Sequence, residues 1–498
     1  MPEHPYDAGD TTVSEQSAVN WRDIASDGVT RRDFMRVAGL GAGALAASAP
    51  RPVWAGPDEP PPNIILMMAD DCSAKEFGCY GNADAQTPNL DALAQTGVQF
   101  ETCWCTPICS PTRAEIMTGR YGFRTRWFHN NLKTNIPLCR DNLTIGQVMK
   151  QAGYATTIVG KWQLPGTQKQ HGFDDYFMWL GGHNLCRKLL TDFDGPVEKE
   201  GQSLPGRPAR YWHPAIVQNG ALVNTTATDY GPALFVEYIK TYMAEHRNDP
   251  FFVYFPMCIP HMSWDFEREK AGYLPSPELD ASGKPTGRKS SPTLTSNVAY
   301  IDYMVGELVA QLERLDLRHN TILLFTCDNG TAGYGKGHVE EERGPRVPMI
   351  VNGPGLVKAL GERPELIDFS DVLPTLADLA GASLPDDYVH DGHSFAPLLT
   401  GKPYVPREWI FSYYAVHRMI RDRRWLQDGN RRFYDCGDRR NEQDYKDVTE
   451  SNAPEVVAAK ARFDSILAGL PPPPEDMRKA WEAKKRAQQT GRRRKKAR

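Results

Sequence analysis

Residues 109–120 read Cys-Ser-Pro-Thr-Arg-Ala-Glu-Ile-Met-Thr-Gly-Arg. Proline suits the first turn of a helix and glycine its end, so the segment predicts a helix from Cys109 to about Thr118, terminated by Gly119. Cys109 then stands at a helix N-terminus, where free N–H groups and the helix dipole favour an anion. Arg113 follows one turn on, on the same side. By residue type alone this is an activated thiolate beside an anionic substrate. Elsewhere the chain holds Asp70-Asp71, Gly160-Lys161-Trp162-Gln163, Pro260-His261 and Cys327-Asp328-Asn329-Gly330. Three acids and one amide offer only oxygen ligands, which suits calcium or magnesium rather than zinc. Calcium fits better, because adjacent carboxylates and an amide carbonyl make a flexible oxygen cage, whereas magnesium keeps several waters.

Taken singly, each cluster could be a set of turn residues, the common fate of Asp, Asn and Gly. Their positions argue otherwise. Asn63 to Met68 is a continuous apolar run, as in a strand buried on both faces, and it ends in Ala69-Asp70-Asp71. Ala155 to Val159 stops just before Lys161, Phe251 to Phe255 leads to His261, and Thr321 to Phe325 leads to Asp328-Asn329. Helical patterns lie between them. Thr87-Pro88-Asn89 opens a helix that stops at Gly97, and Asn142 to Gly153 and Asn297 to Leu315 are two more. Val347 to Val351 reads as a further strand, and Ser370 to Ala380 as a helix closed by Gly381. Strands alternating with helices predict an α/β fold, a large, mostly parallel sheet flanked by helices on both faces. Ligands of open α/β sheets bind beyond the carboxyl ends of the strands, so the four clusters should converge on one edge.

The nucleophile segment, Cys-x-Pro-[Ser/Thr]-Arg followed by Thr-Gly-Arg, resembles the signature of type I, formylglycine-dependent sulfatases, arylsulfatase-like members of the alkaline phosphatase superfamily. The likeness spans roughly residues 60–440. It takes in Pro-Asn-Ile-Ile-Leu-Met-Met-Ala-Asp-Asp at 62–71, Thr-Pro-Asn-Leu-Asp-Ala-Leu-Ala at 87–94, Gly160-Lys161-Trp162, His171-Gly172-Phe173-Asp174, Pro260-His261, Cys327-Asp328-Asn329-Gly330, Gly335-Lys336-Gly337 and Arg346-Val347-Pro348. The resemblance implies that a formylglycine-generating enzyme oxidises Cys109 to Cα-formylglycine. The hydrated aldehyde, a gem-diol, would be the nucleophile and also a metal ligand. Asp70, Asp71, Asp328 and Asn329 would complete a calcium site, and the ion would orient the sulfate and neutralise charge in the transition state. Arg113 would support the formylglycine, Lys161 and Lys336 would hold sulfate oxygens, and His261 would protonate or steady the leaving alcohol. One diol oxygen would attack sulfur, and the second hydroxyl would then expel sulfate and restore the aldehyde. A simple serine ester would instead need a second, difficult hydrolysis.

Two places depart from the family pattern. The family commonly has His two residues after the lysine of Gly-Lys-Trp, and here that residue is Gln163. A glutamine amide can hydrogen-bond the diol but cannot act as a base. His338, two residues after Lys336, is a candidate for that task. Glu340-Glu341-Glu342-Arg343-Gly344 stands where the family usually shows Glu-Gly-Gly before its Arg. A diol beside two lysines does not by itself choose sulfur over phosphorus, so a formylglycine-dependent phosphonate or phosphodiester hydrolase is the first alternative. A sulfatase-like binding protein without turnover is the second, resting on Gln163 alone.

Residues 176–230, rich in Gly, Pro and aromatics, read as long loops of the kind that build specificity walls. His183, His213, Trp179 and Trp212 lie there, as ring-stacking or core residues. Arg124, Arg126, His129, Asn130 and Asn131 follow the nucleophile helix, as pocket lining or plain loop. His171, His390 and His393 read as structural. After Gly401, residues 409–414, 418–425 and 432–434 read as short strands. They resemble the small antiparallel C-terminal sheet of sulfatases, with Phe433-Tyr434-Asp435 in place of the usual Leu-Tyr-Asp.

A chain of 498 residues, 40% hydrophobic, can bury a large core, which excludes wholesale disorder and a disulfide-stapled mini-protein. The ten cysteines form no Cys-x-x-Cys motif, and Cys103 and Cys105 are too close for a zinc pair. The net charge of −4 conceals a tail, 478–498, of net +10 and a body, 56–477, of net −12. An acidic body argues against nucleic acid as a partner. The tail reads as a solvated end or as a tether to a sulfated polymer. At the other end, Thr30-Arg31-Arg32-Asp33-Phe34-Met35-Arg36, the apolar run Val37 to Ala49 and Val53-Trp54-Ala55 resemble a bacterial twin-arginine export signal cleaved after Ala55. The run is too short for a stable membrane anchor. The expected organisation is a twin-arginine signal peptide over 1–55, a sulfatase catalytic domain over 60–400, a small C-terminal subdomain over 401–470, and a Pro-rich linker with a basic disordered tail over 471–498. The expected partners are the twin-arginine translocase, the formylglycine-generating enzyme and a sulfated small molecule or carbohydrate, met by a periplasmic or secreted protein.

Overall fold

The apolar runs that lead into polar clusters are neighbouring strands of one sheet. The computed structural model describes residues 61–130, 137–181, 187–199, 202, 206–438, 440–479, 481–483 and 486. The expected export signal with Arg31 and Arg32, most of the basic tail, Asn131 and His183 lie outside the described residues.

In chain order the strands are β1 (Asn63–Ala69), β2 (Val98–Trp104), β3 (Ala155–Gly160), β4 (Asp175–Trp179), β5 (Ile216–Gln218), β6 (Ala221–Leu222) and β7 (Phe251–Pro256). Two small hairpins follow, β8 (Ser263–Asp265) with β9 (Lys270–Gly272), and β10 (Pro277–Leu279) with β11 (Pro285–Lys289). The sheet resumes with β12 (Thr321–Cys327), β13 (Arg346–Val347), β14 (Met349–Asn352) and β15 (Gly361–Asp368). Among the described residues the sheet runs β13-β2-β14-β12-β1-β7-β3-β4-β5-β6, with β15 also on β2. Its centre, β12-β1-β7-β3-β4, is parallel. Every residue of β1, β7 and β12 is buried, which is why these strands read as unbroken apolar runs rather than alternating ones. Two helix layers cover the faces. Helices Pro88–Gln95, Gly231–Glu245 and Leu294–Arg314 pack together on one side, and Cys109–Thr118, Ile145–Gln151 and Val372–Ala380 on the other.

Register then fixes the site. Ala69 lies opposite Cys327, Met68 opposite Pro256, and Ile158 opposite Tyr254. The residues just past these ends, Asp70-Asp71, Asp328-Asn329, Lys161 and His261, therefore meet at one edge.

The structure differs from the sequence reading in several elements. Val347 to Val351 is split at Pro348 into β13 and β14, and both run antiparallel. The helix expected from Asn142 begins at Ile145, because Thr144 and Gln147 form a reciprocal capping box there. Thr87 does not cap the Pro88 helix; its hydroxyl accepts the Gly78 N–H instead. β2 was not apparent, since Gln99 and Glu101 interrupt its apolar run, and β4 to β6 occupy part of the stretch read as loops.

The small C-terminal sheet is antiparallel: β16 (Ile410–Tyr414), β17 (His417–Arg421), β18 (Trp425–Gln427), β19 (Phe433–Asp435) and β20 (Lys446–Asp447). Helix Pro454–Gly469 lays Val456, Ala459, Phe463 and Leu467 onto its Phe411, Trp425 and Phe433. Past Pro474, residues 475–479 are helical, and the Trp481 ring lies beside His129, Tyr414 and His417. Among the described residues no helix is long and apolar enough to cross a membrane.

Candidate active site

The nucleophile helix Cys109–Thr118 ends where Gly119 turns at φ 64°, as the sequence requires. Its first turn lacks a local side-chain cap, because Ile108 precedes it. A distant residue supplies one: Asn130 Oδ1 accepts the Ser110 N–H at 2.9 Å. Ser110 Oγ donates to the Gln163 carbonyl at 3.2 Å, and Gln163 itself sits at φ 58°. The helix start is thus fixed against the loop that follows β3.

Cys109 Sγ lies 3.6 Å from Asp70 Oδ1 and 3.6 Å from Asp71 Oδ1. Each aspartate turns its other oxygen to a lysine. Lys161 Nζ donates to Asp70 Oδ2 at 2.6 Å, and Lys336 Nζ to Asp71 Oδ2 at 2.6 Å. Asp328 accepts the Asp71 N–H at 2.9 Å on one oxygen and Arg113 Nη2 at 2.7 Å on the other. Arg113 Nη1 also donates to the Lys161 carbonyl at 3.1 Å. Asn329 Nδ2 donates to Asp71 Oδ1 at 2.9 Å, while Asn329 Oδ1, equally buried, has no partner. Lys336 Nζ donates to His261 Nε2 at 3.0 Å, and His261 Nδ1 is bonded to the Met262 carbonyl. The edge of the sheet thus brings together all nine residues singled out: Asp70, Asp71, Cys109, Arg113, Lys161, His261, Asp328, Asn329 and Lys336.

The electrostatics follow from burial and sign. Burial would raise the Asp70 carboxyl, but the charges of Lys161, Arg113 and Lys336 hold it well below the usual range. Asp328 goes the other way, raised to about 6 by burial and by the Asp70 charge, against Arg113 and Lys161. Burial and the charge of Lys336 hold His261 well below its ordinary value, so it is a neutral imidazole. With Nδ1 facing a carbonyl, its proton sits on Nδ1 and Nε2 accepts from Lys336. The activated thiolate suggested by the helix N-terminus is not what this environment favours. Burial, then the Asp328 charge, push the Cys109 thiol up, beyond what Lys161 and Lys336 offset. An unmodified Cys109 is a protonated thiol at neutral pH.

Carboxylate oxygens of Asp70, Asp71 and Asp328 and the sulfur of Cys109 all lie within 4.8 Å of one another. Asn329, the residue after Asp328, adds a buried amide oxygen that has no donor, a further oxygen ligand beside the carboxylates. The donor set fits a hard divalent ion.

A sulfatase family model matches residues 62–382. The chain belongs to the sulfatase family. Arylsulfatase A of Bos taurus is 30% identical over 392 residues, covering 72% of this chain and 72% of that protein. N-acetylgalactosamine-6-sulfatase of Canis lupus familiaris is 30% identical over 414 residues, covering 76% and 71%. The crystal structure of Ps i-CgsB with k-i-k-neocarrahexaose superposes with a TM-score of 0.64 at 24% identity, over 81% of this chain and 92% of that one. This sulfatase is a sulfuric ester hydrolase of mixed α/β architecture.

Other residues named from the sequence find structural partners. His338 turns its ring to Glu340 at 3.2 Å, so no contact of its imidazole places it among the nine. His171, fully buried, bonds the Thr167 carbonyl at 2.7 Å. The His393 N–H goes to Asp371, Arg124 pairs with Asp391 and His213 with Asp194. In the Glu-rich loop, Glu342 is fully buried, pairs with Arg421 and accepts Trp104 Nε1 at 2.8 Å, which ties the small sheet to β2. Sequence reasoning missed Asn130 as a cap, and it missed Arg207, Arg210 and Tyr211 altogether. Tyr211 Oη donates to the His261 carbonyl at 2.6 Å and the Cys258 carbonyl at 2.8 Å, and so holds the His261 loop. No motif marks these residues within a Gly- and Pro-rich stretch.

Proposed function

We propose that this sulfatase is an exported, calcium- and formylglycine-dependent enzyme that removes sulfate from carbohydrate monoesters. The observation that carries the reading is the Cys109 side chain held 3.6 Å from two aspartates whose far oxygens each meet a lysine.

Oxidation of the Cys109 side chain to Cα-formylglycine by a formylglycine-generating enzyme, with sulfur and two hydrogens lost and one oxygen gained, would supply a hydrated aldehyde in place of a thiol that burial keeps protonated. Asp70, Asp71, Asp328, Asn329 and residue 109 would hold a calcium ion, which would supply Lewis-acid polarisation of a sulfate oxygen. The chain's own groups do the rest. Three buried carboxylates balance the charges of Arg113, Lys161 and Lys336, and with a bound divalent ion the site would carry two positive charges. Such a site attracts a monoanionic sulfate ester. Lys161 and Lys336, whose ammonium groups meet Asp70 and Asp71, would hold the sulfate oxygens. Arg113 keeps Asp328 ionised and oriented. Neutral His261 cannot itself donate from Nε2. Lys336 holds the proton there, and the Lys336–His261 pair would supply it to the leaving alcohol oxygen.

The carbohydrate substrate is supported by the relative named for N-acetylgalactosamine-6-sulfate. Export is supported by Arg31-Arg32 and the apolar run behind them. Conversion of both arginines to lysine should retain the protein in the cytoplasm of its bacterial host; unchanged delivery to the periplasm would remove this part.

Asn329→Ala tests the ion. It should weaken calcium binding at least about 10-fold by titration calorimetry, with the fold retained. Unchanged affinity would exclude the amide as a ligand. The reaction is tested by a panel of aryl sulfate, sulfated sugar, phosphodiester and phosphonate, with calcium and with a chelator. Sulfate esters should turn over fastest and only with the ion. Faster turnover of the phosphorus compounds would overturn the proposal.

A further inference from the structure

Beside the His261 loop lies a cavity of about 150 Å³. One wall is residues 209–213; another is Ser263–Glu267, the segment directly after His261. Tyr211 joins the two by its hydrogen bonds to the carbonyls of Cys258 and His261. The cavity therefore adjoins the loop that carries His261, the residue set with Lys336 at the leaving alcohol in the proposed reaction.

The charges on its walls are unevenly matched. Asp265 pairs with Arg268, and Glu267 pairs with Lys289 at 2.9 Å. Arg210 has no carboxylate among the described residues. Its side chain is buried, with the guanidinium 4.1 Å from the Trp179 ring centre, and Nε and Nη1 lack any hydrogen-bond partner. Stacking on an indole face steadies the charge but leaves the in-plane donors unused. Buried charged donors without acceptors are rare because they are costly, and a planar guanidinium is the group that grips a sulfate or carboxylate by two parallel bonds. Arg207 lies 5.8 Å from the same ring and adds a second positive charge; burial and the Arg210 charge lower it to about 10. Trp212 and Trp264 also line the cavity and offer apolar ring faces, and Trp264 Nε1 is likewise without a partner.

We infer that the cavity beside Arg210 is a second anion subsite, which takes a sulfate ester or a carboxylate on the sugar ring next to the one that loses its sulfate. The inference rests on the carbohydrate reading above. In it, Arg210 supplies the two-bond grip, the tryptophans pack against the ring, and Arg207 strengthens the local field. The substrate carries at least two anionic groups on adjacent rings.

The test compares three disaccharides with the same scissile sulfate and a neighbouring ring that is neutral, sulfated or carboxylated, with an aryl sulfate alongside. The wild-type protein should show kcat/KM at least about 10-fold higher for one or both dianionic sugars than for the neutral one. The preferred sugar tells sulfate from carboxylate. Arg210→Met, which keeps the apolar stem on Trp179, should bring this ratio close to one. Arg210→Lys, the less disruptive change, should lower it in part by losing the fork. A wild-type ratio near one, or an undiminished ratio in either folded variant, overturns the subsite. Turnover of the aryl sulfate with no turnover of any sugar overturns the carbohydrate reading and the subsite with it.

Discussion

Cys109→Ser is expected to lose steady-state turnover of any sulfate ester by at least about 10⁴-fold while unfolding at the wild-type temperature. The side chain is fully buried at the start of a helix, and a hydroxyl replaces a thiol there with little change of volume. The helix cap from Asn130 and the ion pairs of Lys161 and Lys336 with the aspartates do not involve the sulfur, so the surroundings stay in place. On the proposed formylglycine reading, what is lost is the capacity to become an aldehyde. Serine can at best form a sulfate ester, and that ester has no second hydroxyl on the same carbon to expel sulfate. One equivalent of alcohol released per protein, followed by arrest, would be the strongest form of this result. Cys109→Ala should give neither burst nor turnover. Peptide mass gives an independent reading: in active protein from its native host, the segment around residue 109 should have oxygen in place of sulfur and two hydrogens. A fully active protein with an intact thiol, or a serine variant within 10-fold of wild type, would defeat the formylglycine assignment. The environment already opposes the simplest rival, a thiolate nucleophile, since burial and Asp328 push that thiol up.

Most of this site was legible because the parallel centre of the sheet turns linear sequence into position. β12, β1, β7 and β3 lie side by side with their carboxyl ends in register, so polar residues placed just after four apolar runs had to meet. The nucleophile helix was legible from Pro111 and Gly119. Other contributions left no local trace. Asn130 caps a helix 20 residues away in sequence, and nothing in its own neighbours signals that. Arg210 looks like any surface arginine until the fold buries it on Trp179. β2 was obscured because its polar Gln99 is used inside, where its amide donates to the Cys79 carbonyl at 2.7 Å. His338 had the right spacing to Lys336, yet Gly337 at φ 75° turns the chain between them and the ring goes to Glu340. Spacing along a chain predicts proximity within regular elements and loses that power across a left-handed turn.

Arg407→Ala should cost the folded state about 3–5 kcal/mol, measured by denaturant unfolding. Arg407 is buried behind the nucleophile helix. Its Nε donates to Asp371 at 2.7 and 2.9 Å, and its Nη2 to Ser370 Oγ at 2.9 Å and to the Asp391 carbonyl at 2.7 Å. Asp368, also buried, lies 3.7 Å from the same guanidinium and accepts the Tyr121 hydroxyl. One cation thus serves two buried carboxylates, and its removal leaves both without a positive partner. Even with Arg407 present, burial, aided by the Asp368 charge, raises the Asp371 carboxyl from 3.8 to about 6. The sign follows from proton counts. Between pH 3.8 and 6 the folded chain holds more protons at Asp371 than the unfolded chain, so this group subtracts stability as pH rises through that window. Deleting Arg407 removes the chief lowering influence, so the window widens upward and the subtraction grows. The deficit of the variant should therefore be largest at pH 8 and shrink towards pH 4. Adding Asp371→Asn, which removes one uncompensated charge, should recover part of the loss at pH 8. A deficit below about 1 kcal/mol, or one that does not change with pH, would show that the guanidinium is not what holds these carboxylates. The consequence reaches the chemistry, because the Asp368–Asp371 turn packs on the Cys109–Thr118 helix and the Gly119 carbonyl that ends it accepts the Asp391 N–H at 2.8 Å. Loosening this network loosens the helix that presents residue 109.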